Sequence, residues 1–121
     1  MKLLKKYLKI YGLGIIFTFN FIEAYVAKIH NFGRGTVRIE PTFALCSLPD
    51  KTIELKIGQT GEINSGICCF VKLQLTGLSG PIAGMSFEYT PRPTGAGWAC
   101  RDFEIRIVQS AAGGIEVKEL W

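Results

Sequence analysis

The stretch NSGICCFVKLQL, residues 64–75, places two adjacent cysteines at the start of an alternating series of apolar and polar residues. Successive side chains of a β-strand point to opposite faces of the sheet. One face would then carry Cys69, Val71, Leu73 and Leu75, and the other Cys68, Phe70, Lys72 and Gln74. Because Cys68 and Cys69 cannot both point into one core, the pair predicts covalent links to two different neighbours.

Five further alternating runs surround this strand: TVRIEPTFAL (36–45), TIELKI (52–57), MSFEYT (85–90), CRDFEIRIV (100–108) and GIEVKELW (114–121). The segments between them are rich in glycine, proline and small polar residues, and no segment has sustained helical periodicity. About six strands, each with one polar face, predict an all-β fold, a small antiparallel β-sandwich of immunoglobulin-like type or a small barrel. Pro41 would interrupt the first strand's hydrogen bonding, so that strand is expected to be an edge or to change sheets.

The alternation also predicts which side chains of these five runs face the core. They are Val37, Ile39, Phe43, Leu45, Ile53, Leu55, Ile57, Met85, Phe87, Tyr89, Phe103, Ile105, Ile107, Ile115 and Val117. Glu54, Lys56 and the other polar residues between them would face water.

Residues 1–27 differ from the rest of the chain. Four lysines precede an apolar run over residues 10–22, and Ala24 and Ala27 follow. This pattern predicts a signal peptide that is cut after Ala27 or after Ala24, although Tyr25 and Ile22 are poor residues three positions before those cuts. The alternative is a signal anchor in which residues 10–27 stay in the membrane as a leader helix, with the N-terminus in the cytoplasm.

The predicted domain organisation follows from this boundary: residues 1–27 are the signal peptide or anchor, residues 28–35 a linker and residues 36–121 the β-sandwich. The whole chain has a net charge of +4, but residues 28–121 carry ten basic and nine acidic residues, a net charge of +1. Without a basic cluster, a nucleic-acid partner is not expected.

All four cysteines follow the leader, which predicts disulfides and therefore a secreted, periplasmic or cell-surface protein. If neighbouring strands alternate in direction, Cys68 and Cys69 lie at the same end of the fold as Cys100. Cys68 and Cys100 both fall on the polar faces of their alternating runs, which favours the disulfide Cys68–Cys100 together with Cys46–Cys69. A bulge at the cysteine pair would instead give Cys69–Cys100 with Cys46–Cys68, and a Cys68–Cys69 ring is the third possibility.

Catalytic and metal chemistry find little support. The cysteine spacings do not resemble the Cys-x₂₋₄-Cys pairs of zinc sites, so no metal or cofactor is predicted. His30 is the one histidine, and it falls in the predicted linker rather than beside a nucleophile. Asp102 and Glu104 alternate with arginines, as in a charge-paired outer face. The sequence therefore predicts a protein that is not an enzyme.

Binding is the remaining function. The connection YTPRPTGAGWACRD, residues 89–102, carries the predicted binding residues Arg92, Trp98 and Arg101, since aromatic and arginine side chains on a constrained loop commonly anchor interfaces. Trp98 could instead cover the end of the sandwich. Trp121 ends a last strand that could pair with another chain by β-augmentation, or could fill the core.

The leading hypothesis is a non-catalytic exported binding or structural module, a subunit or assembly factor of a cell-surface or periplasmic structure. Its partner would be another protein, bound through loops 58–66 and 91–98 or through an edge strand. A second hypothesis is a secreted carrier that holds an apolar ligand between the sheets. A third is a membrane-anchored component of a larger complex that retains residues 10–27. A secreted enzyme ranks last.

Overall fold

The computed structural model describes residues 25–44, 46, 50–95 and 97–120. The predicted leader up to residue 24 and the predicted binding residue Trp121 lie outside the described residues. The described chain forms eight strands: β1 (Val26–Asn31), β2 (Val37–Ala44), β3 (Ile53–Leu55), β4 (Thr60–Asn64), β5 (Cys69–Gly77), β6 (Ser86–Tyr89), β7 (Phe103–Gln109) and β8 (Ile115–Leu120). A short 3-10 helix, Gly80–Ile82, follows β5.

The strands form two four-stranded sheets, so the prediction of an all-β sandwich is confirmed. Sheet A has the order β4-β1-β7-β8, and sheet B has the order β3-β2-β5-β6. The pairing of β1 with β7 is parallel, and the other pairings are antiparallel. The expectation that the strand of Pro41 is an edge or changes sheets is wrong, because β2 lies between β3 and β5 in sheet B. β2 pairs with β3 only through residues 37–39, so Pro41 lies beyond the end of β3, where a proline removes no hydrogen bond to that strand.

Two strands were not predicted, and both replace expected connections. The predicted linker 28–35 is wrong over its first half, because residues 28–31 belong to β1 in the middle of sheet A. The predicted loop 58–66 is largely β4, an edge strand of the same sheet. The two segments Lys28–Asn31 and Thr60–Asn64 each contain one large aliphatic residue, which is too weak an alternation to identify a strand.

The core lies between the sheets and includes fifteen buried residues: Ala27, Ile29, Val37, Ile39, Leu55, Ile63, Phe70, Leu73, Leu75, Ile82, Ala99, Phe103, Ile105, Ile107 and Ile115. Phe70 is at its centre, with ring centroids 5.3 Å from Phe43 and 5.0 Å from Phe103. Aromatic pairs at these separations contribute to packing beyond the area that they bury.

A β-bulge explains why Phe70 is in the core and not on the polar face expected from strict alternation. Thr42 pairs with Lys72 but Phe43 pairs with Phe70, which leaves Val71 as an extra residue on β5. The extra residue inverts the alternation on its N-terminal side.

The same bulge decides the cysteine pairing. The disulfides are Cys46–Cys68 and Cys69–Cys100, with Cα atoms 5.7 Å and 4.4 Å apart. The favoured prediction, Cys68–Cys100 with Cys46–Cys69, is therefore wrong. The alternative that was expected with a bulge is the one observed.

The connections gather at two ends of the sandwich. We call the end formed by residues 32–36, 56–59, 78–85 and 110–114 the glycine-rich pole, and the end formed by residues 65–68 and 90–102 the disulfide pole. Ile57 and Met85 were expected in the core, but both lie beyond the strand ends at the glycine-rich pole and are exposed. None of the described residues forms a helix long and apolar enough to cross a membrane.

Asn31 connects β1 to two neighbouring segments at the glycine-rich pole. Its side chain is fully buried, and its Nδ2 donates hydrogen bonds to the carbonyl oxygens of Gly35 and Leu55, both at 2.9 Å. Its Oδ1 accepts a hydrogen bond from the backbone N–H of Gly33 at 2.9 Å. The Asn31 amide thus uses both of its N–H donors and one of its two oxygen lone pairs. These hydrogen bonds hold the 32–36 connection against β3.

Candidate functional site

The predicted binding loop 91–98 is folded back on itself at the disulfide pole. The backbone N–H of Thr94 donates to the carbonyl of Trp98 at 2.9 Å, and the N–H of Cys100 donates to Thr94 Oγ1 at 3.1 Å. Cys100 is bonded to Cys69, so this hairpin is fixed covalently to β5. Trp98 is half-buried and does not belong to the set of described side chains that pack against the core.

Arg101 lies in a set of internal contacts. Its guanidinium donates to Glu119 Oε2 at 2.7 Å and to the carbonyl of Arg92 at 3.1 Å, and it lies 5.5 Å from the ring centroid of Phe103. The side chains of Arg101 and Glu119 are only 18% and 9% exposed. Arg101 therefore joins loop 91–98 to β8, and a partner that contacted it would have to share it with Glu119.

Tyr89 completes this cluster by donating its hydroxyl hydrogen bond to Glu119. Burial of the phenol, followed by its hydrogen bond to the Glu119 carboxylate, raises the pKa of Tyr89 above its ordinary value. Because Tyr89 is on β6 and Glu119 is on β8, the hydrogen bond crosses from sheet B to sheet A and closes that side of the sandwich.

Two further parts of the predicted binding surface are Arg92 and loop 58–66. Arg92 is exposed on the same loop, where its carbonyl accepts the hydrogen bond from Arg101. Residues 58–66 do not lie beside loop 91–98 over their whole length, because β4 runs from the glycine-rich pole at Thr60 to the disulfide pole at Asn64. Only the end of that segment shares a pole with loop 91–98.

The outer face of sheet A carries a row of three polar side chains that sequence analysis missed. His30 is in β1, not in an exposed linker, and its Nδ1 is 2.8 Å from Thr60 Oγ1 in β4. Its Nε2 is hydrogen-bonded to the Glu104 carboxylate in β7. That hydrogen bond lowers the pKa of Glu104.

A hydroxyl, an imidazole and a carboxylate in a row are also the groups of nucleophilic catalysis. In this chain the strand register is sufficient to bring them together, since His30 is directly opposite Thr60 and two residues beyond Lys28, the partner of Glu104. We assign the row the role of tying three neighbouring strands together on the solvent side of the sheet.

A shallow groove of about 360 Å³ lies next to this row and is open to solvent. It is lined by Val26, Lys28, Glu62, Asp102, Phe103, Glu104 and Leu120. Asp102 accepts a hydrogen bond from the backbone N–H of Val26 at 2.8 Å. The groove thus surrounds the beginning of β1 with three carboxylates and one lysine. No group of three metal-ligating side chains occurs among the described residues.

The carrier hypothesis requires an apolar cavity between the two sheets. Phe43 and Phe103 both contact the ring of Phe70, which fills the space between them. Met85 is exposed at the glycine-rich pole. This packing offers the carrier hypothesis no support.

The glycine-rich pole carries four of the five large apolar side chains that are exposed in the described chain: Phe32, Ile57, Leu78 and Met85. The fifth, Ile67, is at the disulfide pole. The four connections of the glycine-rich pole contain two charged residues, Arg34 and Lys56, and no Asp or Glu. The surface is therefore apolar and positively charged.

Close backbone packing makes these connections one surface. The N–H of Gly58 donates to the carbonyl of Asn31 at 2.7 Å, and the N–H of Leu78 donates to the carbonyl of Thr36 at 2.8 Å. A Cβ on Gly35 would lie 2.0 Å from the carbonyl oxygen of Ser79, so only glycine permits this approach. Sequence analysis missed this surface because it placed Ile57 and Met85 in the core.

The comparisons with known proteins give no functional lead: no protein-family model and no curated protein matches this sequence. The function must therefore be argued from the fold and its surfaces.

Proposed function

We propose that this chain is a non-catalytic exported binding or structural module, a subunit or assembly factor of a cell-surface or periplasmic structure. It binds another protein through the glycine-rich pole. The observation that carries this proposal is the concentration of exposed apolar side chains at that pole, on connections that are held together by backbone hydrogen bonds. A cluster of large exposed apolar side chains commonly marks an interaction site, whereas single exposed ones are normal on any protein.

Export is supported by the two disulfides, which are consistent with an oxidising extracytoplasmic compartment. The basic and then apolar N-terminal sequence supports it independently. Disulfides also suit a domain of this size, because a small core alone leaves little net stability.

The charge of the pole indicates the chemistry of the partner. Phe32 and Ile57 are 55% and 60% exposed, and Arg34 and Lys56 flank them in the sequence. Buried apolar anchors with charged residues at the rim are the usual arrangement of a protein interface. The partner surface that fits is an apolar recess bordered by aspartate or glutamate side chains.

The experiment is site-specific photo-crosslinking in the exporting host. A photoreactive residue at position 57 is compared with one at Ile67, which is 68% exposed at the opposite pole and serves as the matched control. We expect a protein adduct from position 57 that is lost when Arg34→Glu and Lys56→Glu are introduced together, and no such adduct from position 67. Equal adducts from both positions, or adducts to lipid alone, would contradict the proposal.

The adduct partner is then purified and its affinity for the folded domain is measured directly. Reversing two rim charges is expected to weaken binding at least about tenfold, mainly through the association rate, and raising the salt concentration should reduce the difference. An affinity that does not respond to either change would show that the partner contacts a different surface.

A further inference from the structure

Resting on the proposed export, we infer that the leader is removed between Ala24 and Tyr25, so that Tyr25 is the N-terminus of the mature protein. The sequence pattern alone allows this cut or a cut after Ala27. The contacts of Tyr25, Val26 and Ala27 separate the two possibilities, because only the first cut leaves these three residues in the folded domain.

Tyr25 holds a buried part of the disulfide pole. Its N–H donates to the carbonyl of Gly66 at 3.0 Å, and its carbonyl accepts from the N–H of Ser65 at 2.9 Å and from Ser65 Oγ at 3.0 Å. Ser65 is fully buried, and its one hydroxyl hydrogen is shared between the carbonyl of Tyr25 and the carbonyl of Cys68, which is nearer at 2.6 Å. A chain that began at Lys28 would leave the buried N–H of Ser65 without this acceptor, which is costly in a protein interior.

Val26 and Ala27 are the first two residues of β1, a strand with a neighbour on each side. Ala27 is fully buried and pairs with Ile63 in β4 and with Phe103 in β7. Val26 donates its backbone hydrogen bond to Asp102. A cut after Ala27 would therefore remove the end of a central strand and open the core at that point.

The residue types near the two bonds agree with this choice. Either cut leaves alanine immediately before the broken bond, but the residue three positions before it is Ile22 for one cut and Tyr25 for the other. Small residues are preferred there, and an aromatic ring departs further from that preference than an isoleucine.

The surroundings of Tyr25 also suit a new α-ammonium group. Its nitrogen already has an acceptor in the carbonyl of Gly66. The next residue, Val26, lines the groove whose carboxylates are Glu62, Asp102 and Glu104. Asp102, one of these carboxylates, accepts the hydrogen bond of the Val26 N–H, so a negative charge contacts the residue next to the new amino terminus.

The first test is N-terminal sequencing and intact-mass measurement of the protein exported by its native host. We expect a chain that begins at Tyr25. A chain that begins at Lys28 would overturn the inference and leave export in place. An unprocessed chain that begins at Met1 would overturn cleavage altogether, and with it both the inference and its premise of a removed leader.

The second test separates recognition of the bond from folding of the product. The matched variants Ala24→Leu and Ala27→Leu are compared by pulse labelling over the first minutes of synthesis, when the ratio of precursor to product is read before stability matters. Ala24→Leu should accumulate precursor severalfold over the unmodified chain, and Ala27→Leu should be processed normally. The opposite pattern would overturn the inference.

Discussion

Replacing Asn31 by aspartate exchanges the buried side-chain NH₂ group for an oxygen atom and should strongly destabilise the fold. The substitution keeps an oxygen to accept from Gly33, but it replaces the amide that donates to the carbonyls of Gly35 and Leu55. Two buried carbonyl oxygens would then face a carboxylate oxygen. Each lost bond to a buried group costs about 1–3 kcal/mol, so the loss of two means that Asn31→Asp should lower the free energy of unfolding by about 2–6 kcal/mol at neutral pH.

The assay is thermal or urea unfolding of the oxidised protein, followed by circular dichroism. For a domain of this size the loss corresponds to a fall in Tm of about 10–30 °C. The control is Asn64→Asp, an exposed residue whose Oδ1 accepts from the N–H of Gly66 and can do so equally well as a carboxylate. The control should stay within about 0.5 kcal/mol of the unmodified protein. If both variants unfold alike, the side chain of Asn31 does not hold the 32–36 connection against β3.

Four further changes test other contacts. Replacing Cys69 and Cys100 together by alanine should cost about 3–4 kcal/mol in equilibrium unfolding, because the disulfide closes a long loop. Glu119→Gln leaves the partly buried guanidinium without its carboxylate and should cost about 2–4 kcal/mol in the same assay. Gly77→Ala should prevent native folding, because the added Cβ would lie 2.0 Å from the carbonyl oxygen of Ile82. The loss of the native fold would be seen in the nuclear magnetic resonance spectrum. The pKa of Glu104 is lower in the folded protein than in the unfolded chain. The ionised carboxylate therefore stabilises the fold at pH values above its ordinary pKa, and this stabilisation is lost as the pH falls through the pKa of the folded state. Glu104→Gln should therefore flatten the acid limb of the stability profile.

Much of the architecture could be predicted because six strands have strong alternation of apolar and polar residues. The sequence does not reveal β1, because the leader pattern extends through Val26 and Ala27 and the alternating segment that remains is too short to identify as a strand. The orientation of Phe70 depends on the bulge at Val71, and that bulge is set by the register with β2 on a distant part of the chain. Local alternation cannot contain this information.

The candidate surfaces were harder to predict for a related reason. Alternation assigns Ile57 to the core only if the strand continues to it, and β3 ends at Leu55. Arg101 resembles an interface anchor in the sequence, but the structure pairs it with Glu119, a residue eighteen positions away in β8. Both outcomes depend on where strands end and which strands are neighbours, which are properties of the whole fold.

The central claim is that the protein is exported and is held together by two disulfides. It is tested by the thiol state of the protein recovered from outside the cytoplasm of its native host. The protein is alkylated with and without prior reduction, and its disulfide-linked peptides are identified by mass spectrometry. The account predicts no alkylation before reduction, four alkylated cysteines after it, and linked peptides that join Cys46 to Cys68 and Cys69 to Cys100. Protein found only inside the cytoplasm with alkylatable thiols would contradict it.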